Sequence, residues 1–247
     1  MLTSLDNPKV KALLKLKKAK ERKKENKFIV EGPHLVKEAR KLNLLIEAFS
    51  LEEKEGYTAL SKQIMDKIAE TDTTVTEIGL CKMIEKSEIT NKLLILDAVQ
   101  DPGNLGAIMR SANAFGFKTI VLGEGSCDIY NPKVIRSSQG AIFKLNFINA
   151  NIVSFLDKIK DFDVYGTSVI NGIELDKVKK NEKIAIILGN EGNGISKAVF
   201  DKLNKNIYIP MENTESLNVS VAASIIMYKL RWKKRMINLH PHPHHLH

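Results

Sequence analysis

The sequence predicts an α/β protein, with a small α/β unit over residues 1–90 and a mostly parallel sheet flanked by helices over residues 91–237. Three observations predict it. Short apolar runs recur through the second unit at Leu93–Leu96, Thr119–Leu122, Ile142–Phe147, Asp163–Thr167, Ile184–Leu188 and Ile207–Ile209. Most are followed by a Gly/Asn/Pro turn and a stretch of helical spacing, the pattern of parallel strands covered on both faces. Finally, the texture changes between Glu85 and Lys92, where longer amphipathic segments give way to these compact strands.

Within the first unit, Asn7-Pro8 opens KVKALLKLKKAKERKK, which reads as one basic helix with Val10, Leu13 and Leu14 on its apolar side. A short strand follows at Phe28-Ile29-Val30. After Gly32-Pro33, HLVKEARKL returns to helical spacing, LIEAFSL reads as a strand and LSKQIMDKIAE as a helix. In the second unit the helix after Asp101-Pro102-Gly103-Asn104 places Leu105, Ile108, Met109, Ala112 and Phe115 on one stripe, leaving Arg110 off it. The last helix is expected to open at Ser216, Leu217 and Asn218, with Ser216 as its cap and Val221, Ile225 and Tyr228 turned inward. Residues 238–247, which hold His240, His242, His244, His245 and His247, are expected to form a disordered tail. Alternating prolines there oppose a compact metal site.

Composition narrows the class. Hydrophobic residues make up 43% and charged residues 27%, as in a globular chain rather than a disordered one. No apolar run approaches the roughly 20 residues needed to cross a bilayer. The N-terminus threads lysines through its leucines and has no secretory signature, so a cytoplasmic location is expected. Cys81 and Cys127 lack the spacing of a disulfide framework or zinc site, and no metal is expected. Charge is uneven: residues 1–41 carry 13 Lys/Arg against 5 Asp/Glu, so +8 of the +9 net charge lies there. That is an electrostatic footprint for a polyanion; a solvated helix face is the alternative.

Three segments could carry chemistry. In 97–116, Arg110 is free to grip a phosphate or carboxylate with two parallel hydrogen bonds, or is simply a surface cation, while Asn104 could be a cap. In IILGNEGNGIS a buried strand runs into a loop holding Gly189, Gly192 and Gly194, with Glu191 at the strand's end. Glycines let backbone groups approach a ligand closely. Neither the P-loop nor the dinucleotide fingerprint fits. In 207–230, Ser216 and Asn218 at a helix start could orient a hydroxyl or phosphate. Ligands in such sheets sit beyond the strands' carboxyl ends, which points to the loops after Leu96, Leu188 and Ile209.

Taken in order, DPGNLGAIMRSANAFG, LGNEGNGIS and IPMENTESLNVSVAASI resemble the SpoU (TrmH-like) family of RNA ribose methyltransferases in the SPOUT superfamily. The likeness covers roughly residues 93–231, and 7–39 is similar to the substrate-binding domain that precedes the catalytic domain in ribosomal-RNA members. The resemblance implies a C-terminal trefoil knot, where periodicity alone gives a doubly wound open sheet. It further implies a homodimer and S-adenosylmethionine held by Gly189, Ile209 and Leu217 through backbone groups, with Thr167 nearby. Asn104, Arg110, Glu191, Ser216 and Asn218 match the family's polar motif positions.

The basic segment, in a domain resembling a small ribosomal-protein fold, is then expected to contact RNA through Lys9, Lys11, Lys17, Lys18, Arg22, Lys23 and Lys24. Ribosomal RNA is favoured over transfer RNA by the same analogy. A guanidinium is not deprotonated in proteins. Arg110 is therefore expected to clamp the RNA and polarise the 2′-oxygen, with a phosphate oxygen or Glu191 taking the proton. The competing readings are a catalytically idle RNA-binding or ribosome-assembly factor and a Rossmann-type oxidoreductase. The late position of the glycine loop disfavours the latter.

Overall fold

The computed structural model of the chain describes residues 1–69 and 71–232; the histidine tail expected at 238–247 lies outside the described residues. The basic N-terminal segment is two helices, α1 (Pro8–Lys15) and α2 (Ala19–Glu25), rather than one. Asn7 caps α1, accepting from the Lys9 N–H. The chain breaks at Lys18, which is extended, and the Arg22 guanidinium turns into the break to bind the Leu16 and Lys17 carbonyls. It thereby satisfies orphan carbonyls at the end of α1.

The chain continues through β1 (Lys27–Glu31), α3 (Pro33–Lys41), β2 (Leu45–Ser50), β3 (Tyr57–Ala59), α4 (Lys62–Ala69) and β4 (Glu77–Lys82). These strands form one sheet in the order β1-β4-β2-β3. Pairing is antiparallel on both sides of β4 and parallel between β2 and β3. Val10, Leu13, Phe49, Ile64 and Met65 pack α1 and α4 against this sheet.

A second sheet starts at β5 (Lys92–Leu96), followed by α5 (Pro102–Phe115), β6 (Thr119–Leu122), α6 (Pro132–Ser138), β7 (Asn146–Asn149) and α7 (Ile152–Leu156). It is completed by β8 (Asp163–Thr167), β9 (Gly172–Glu174), β10 (Ile184–Leu188), α8 (Lys197–Phe200), β11 (Asn206–Tyr208) and α9 (Val219–Leu230). The order is β7-β6-β5-β10-β8-β11-β9, and every pairing is parallel. Every residue of β5, β6 and β10 is buried, as a sheet covered on both faces requires.

Besides the single basic helix, three expectations need correction. The strand expected over 142–147 is a 3₁₀ turn at Ala141–Phe143 followed by β7, because Gly140, at φ 85, turns the chain before it reaches the sheet edge. The cap of α9 is Asn218, not Ser216; its carboxamide oxygen accepts from the Ser220 and Val221 N–H groups at 2.8 and 3.3 Å. Val221, Ile225 and Tyr228 face outward, 47%, 39% and 52% exposed, while Ala223, Ile226, Met227 and Leu230 take the inner face. With apolar residues almost all round, the helix gave no stripe by which to tell inside from outside.

Candidate functional site

Three loops at the carboxyl end of the parallel sheet converge, and the residues that hold them are polar groups placed by the strand ends. At the end of β5, the buried Asp97 accepts the Ser196 N–H at 2.7 Å, and its own N–H donates to Leu188 O at 2.8 Å. At the end of β10, Asn190 closes the glycine loop through reciprocal 2.9 Å backbone bonds with Gly194. Its side-chain oxygen accepts from the Gly192 and Asn193 N–H groups, and its amide donates to Ala98 O at 2.8 Å. The loop folds back so tightly that a Cβ on Gly189 would lie 2.1 Å from the Gly194 carbonyl carbon. Only glycine fits there.

Glu191 then crosses to the neighbouring loop. Its carboxylate accepts from the Asp101 N–H at 2.9 Å and the Gln100 N–H at 3.1 Å, with the Asn104 amide at 3.5 Å. Burial pushes this carboxyl up. The hydrogen bonds from the backbone N–H groups of Asp101, Glu191 itself and Gln100, with the Asn104 amide, outweigh it and hold Glu191 below its ordinary 4.5. A carboxylate filled with donors and held in its charged form is a poor proton acceptor. The geometry makes Glu191 a strut that pins the first turn of α5 to the glycine loop.

Asp101 caps α5 by accepting the Asn104 N–H at 2.8 Å, so Asn104 is not the cap and its carboxamide is available. That carboxamide oxygen accepts from the Asn218 amide at 3.0 Å. Asn218, Asn104 and Glu191 thus form one chain of contacts linking the starts of α9 and α5 to the loop after β10.

Beside this chain lies an open cleft of about 540 Å³. Asn104, Thr167, Gly189, Glu191, Ile209, Ser216, Leu217 and Asn218 all line it. Leu188, Ile207, Met211, Val219, Ala222 and Ile226 supply apolar wall. Thr167 is fixed by donating its hydroxyl to Ile187 O at 3.1 Å. Arg110 does not line the cleft: it is exposed on α5 and makes no hydrogen bond or ion pair with the described residues. Asp97, Asp101 and Asn190 were not singled out from the sequence, although the carboxyl-end rule already pointed to the loop that Asp97 opens.

Among the described residues, the charged ones lining the cleft are Glu191 and Glu215. S-adenosylmethionine carries a cationic sulfonium, an ammonium and one carboxylate on a neutral nucleoside, so its net charge is positive. Two carboxylates, apolar walls and exposed backbone suit it better than they would a pyrophosphate, which calls for cations or a row of N–H donors. The residues present therefore fit that cofactor.

The expected RNA contacts are divided by the structure. Lys18, Lys23 and Lys24 are exposed, whereas Lys9 pairs with Glu47 at 2.7 Å and Lys11 lies 3.9 Å from Asp6. Lys17 is half-buried. Arg22 is only 3% exposed and pairs with Asp128 at 2.8 Å, so it does not face solvent as a surface contact must. Among the described residues, no helix is long and apolar enough to cross a membrane.

Residues 91–228 match the model of the SpoU rRNA Methylase family, and residues 7–79 match the MRM3-like substrate binding domain. A relative named 23S rRNA (guanosine(2553)-2'-O)-methyltransferase RlmP, from Bacillus subtilis (strain 168), is 38% identical over 244 residues, spanning 93% of this chain and 98% of its own. A putative RNA methyltransferase of the TrmH family from Porphyromonas gingivalis is similar at TM-score 0.81 and 29% identity, over 92% of this chain and 98% of that one. An AdoMet-bound rRNA methyltransferase from Sinorhizobium meliloti shares the fold at TM-score 0.84 and 23% identity, over 93% and 96% of the two chains. With a family model covering more than half its length and a relative aligned end to end, the chain belongs to the SpoU rRNA methylase family.

Proposed function

We propose that the chain transfers a methyl group from S-adenosylmethionine to a ribose 2′-hydroxyl of ribosomal RNA, residues 1–90 gripping the RNA and residues 91–237 carrying the chemistry. The single observation that carries this reading is the cleft. Residues from three sequence-distant motifs meet there, with two carboxylates and no cation among the described residues, at the carboxyl end of a parallel sheet. The large-subunit guanosine named for the Bacillus subtilis relative is the first target to test.

When bound, the cofactor supplies an electrophilic methyl group. The chain's own residues have to present the 2′-oxygen in line with it, and positioning of that kind supplies much of the acceleration. Asn104 and Asn218, held to each other and to Glu191, offer fixed amide groups at the cleft's edge. Gly189, Ile209, Leu217 and Thr167 line the cleft that would receive the cofactor, and Ser216 lines it too, as a polar group for the reacting ribose. Arg110 stands outside the cleft and clamps the RNA phosphate beside the reacting ribose; as the methyl leaves sulfur for the 2′-oxygen, the hydroxyl proton passes by way of a phosphate oxygen to solvent.

The homodimer belongs to the same proposal. Val221, Ile225 and Tyr228 recur along one exposed side of an otherwise apolar α9, and the Tyr228 ring meets Phe115 of α5 at 5.5 Å. A helix apolar on both faces is normally covered on both. A second copy seated there would cover the Tyr228 and Phe115 rings together. The knot implied by the resemblance would be threaded by the segment from β10 to α9. Cytoplasmic location goes with an RNA substrate of this kind.

Calorimetry should give saturable binding of S-adenosylmethionine and none of NAD. Reverse-transcription stops at low dNTP, compared in RNA from cells with and without the protein, should then mark one ribose. Cofactor binding without any new stop would favour the idle RNA-binding factor.

A further inference from the structure

Arg22 sits in the most basic stretch of the chain, yet it is withdrawn from solvent. Its guanidinium donates to Leu16 O at 3.0 Å, Lys17 O at 2.9 Å and Asp128 Oδ2 at 2.8 Å. Asp128 belongs to the loop between β6 and α6, 106 residues away. Its other oxygen accepts the Tyr130 N–H at 3.1 Å. Two more contacts join the same stretch to the N-terminal sheet. Arg136 of α6 reaches Glu31 of β1 at 3.4 Å and the carbonyl of Ala69, at the end of α4, at 3.1 Å. The Tyr130 hydroxyl accepts the Ile84 N–H at 3.0 Å while its ring packs 4.7 Å from Phe28. Beneath these lies one apolar cluster shared by both sheets, with Phe28, Val30 and Val36 on one side and Ile135, Ile142 and Leu145 on the other.

The segment that receives these contacts also supports the cleft. The Cys127 N–H donates to Val99 O at 2.9 Å, next to Gln100 and Asp101, whose N–H groups hold Glu191. Directly after Arg136, Ser137 packs so closely on α5 that a Cβ on Gly106 would lie 1.7 Å from its Oγ. Two residues before Gly106 is Asn104. Linked domains generally move relative to one another unless their interface is extensive and apolar. Here the interface is apolar beneath and clamped by two arginines above.

On the proposed methyl transfer to RNA, we infer that Arg22 and Arg136 are positioning residues which hold the RNA-gripping helices at a fixed distance and angle from the cleft. The ribose to be methylated is then chosen by rigid register between the two domains. Arg22 acts through Asp128 and touches neither RNA nor cofactor.

The test uses the full chain with Asp128→Asn and Arg136→Gln, singly and combined. Asp128→Asn keeps the size of the side chain and an acceptor oxygen for the Arg22 guanidinium, whose bonds to the Leu16 and Lys17 carbonyls remain, and Arg136→Gln keeps a polar head without the charge. The combined variant should bind S-adenosylmethionine as wild type and keep its KM for an rRNA fragment within about twofold. Its kcat should fall on the order of a hundredfold, the usual consequence of ångström-scale misplacement. Mapped methylation should spread to neighbouring riboses, and Arg136→Lys should restore part of the site preference. Wild-type kcat and site pattern in the combined variant, or a loss confined to KM, would overturn the inference.

A wild-type chain that methylates no RNA refutes the proposed function, and a second readout then decides the clamp independently. Spin labels at the exposed Lys24 and Lys118 positions should give one narrow distance distribution in wild type and a broadened one in the combined variant. Equally narrow distributions would overturn the clamp.

Discussion

Glu191 separates a structural reading of the glycine loop from a catalytic one. Glu191→Ala removes the acceptor for two backbone N–H groups, at 2.9 and 3.1 Å, on the turn that opens α5. A hydrogen bond to a charged group contributes about 1.5–3 kcal/mol net. Solvent reaches this carboxylate, so the pair together is placed near the lower end, about 2 kcal/mol. Cofactor binding has to restore the order so lost, and about 1.4 kcal/mol is tenfold in affinity. S-adenosylmethionine should therefore bind roughly ten- to thirtyfold more weakly to Glu191→Ala.

Glu191→Gln keeps an oxygen in place for the same N–H groups and loses only the charge, which roughly halves such bonds. Its cofactor affinity should fall about three- to fivefold, with kcat at saturating cofactor close to wild type. Calorimetry and steady-state methylation measure both. Removing a general base costs about 10²–10⁴ in rate. A Glu191→Gln chain that binds the cofactor normally but turns over that slowly would refute the strut and restore the proton-acceptor role. The pH behaviour agrees in sign. Because the folded carboxyl lies below its ordinary 4.5, its contribution to stability is complete above that value and lost as pH falls through the folded one. No inflection from Glu191 should then appear in turnover near neutral pH.

Arg110→Lys should lower kcat at least tenfold with RNA affinity nearly unchanged, since an ammonium cannot supply the two parallel bonds of a guanidinium; full turnover would sink the clamp. Ile225→Asp places a charge on the exposed apolar stripe of α9 and should leave a folded monomer in sedimentation, whereas a persistent dimer would locate the interface elsewhere. Lys92, only 3% exposed with Nζ 2.6 Å from Leu230 O, is pushed down to about 8 by burial and then by Lys180. Between about 8 and its ordinary 10.5 the unfolded chain binds more protons, so the Lys92 contribution to stability rises with pH across that window, and Lys92→Met should flatten the slope of urea midpoints. Replacing Lys18, Lys23 and Lys24 by Gln should reduce the salt dependence of RNA binding by about 2–3 in log–log slope, at roughly 0.7–0.9 per phosphate; an unchanged slope would move the RNA track to another surface.

The strands at 93–96, 120–122 and 184–188 were legible because a parallel sheet covered on both faces leaves runs that are apolar at every position, whereas 163–167, with Asp163 and Thr167 at its ends, is more weakly patterned. Strands of three residues, such as β3 and β9, carry too little pattern to stand out from loop. β4 was missed for another reason: Glu77 is buried in it and paired with Lys54 at 2.8 Å, a partner no periodicity reveals. The cleft was visible in outline through its glycines and motif spacing, but the inner face of α9 and the true cap at Asn218 depended on packing against α5.

Arg22 shows most sharply what a sequence withholds. It stands between Glu21 and Lys23 in a run of cations, and composition gives no reason to separate it from its neighbours. What buries it is a carboxylate 106 residues away. The consequence is a division of charge across the molecule. Cations that face solvent are dense around α1 and α2, the cofactor cleft holds carboxylates and no cation among the described residues, and the paired arginines join the two domains. A polyanion drawn to α1 and α2 is not also drawn into the cleft. Only the nucleotide placed there by geometry reaches the methyl donor, which makes the rigidity of the boundary, and not affinity within the cleft, the source of site selection.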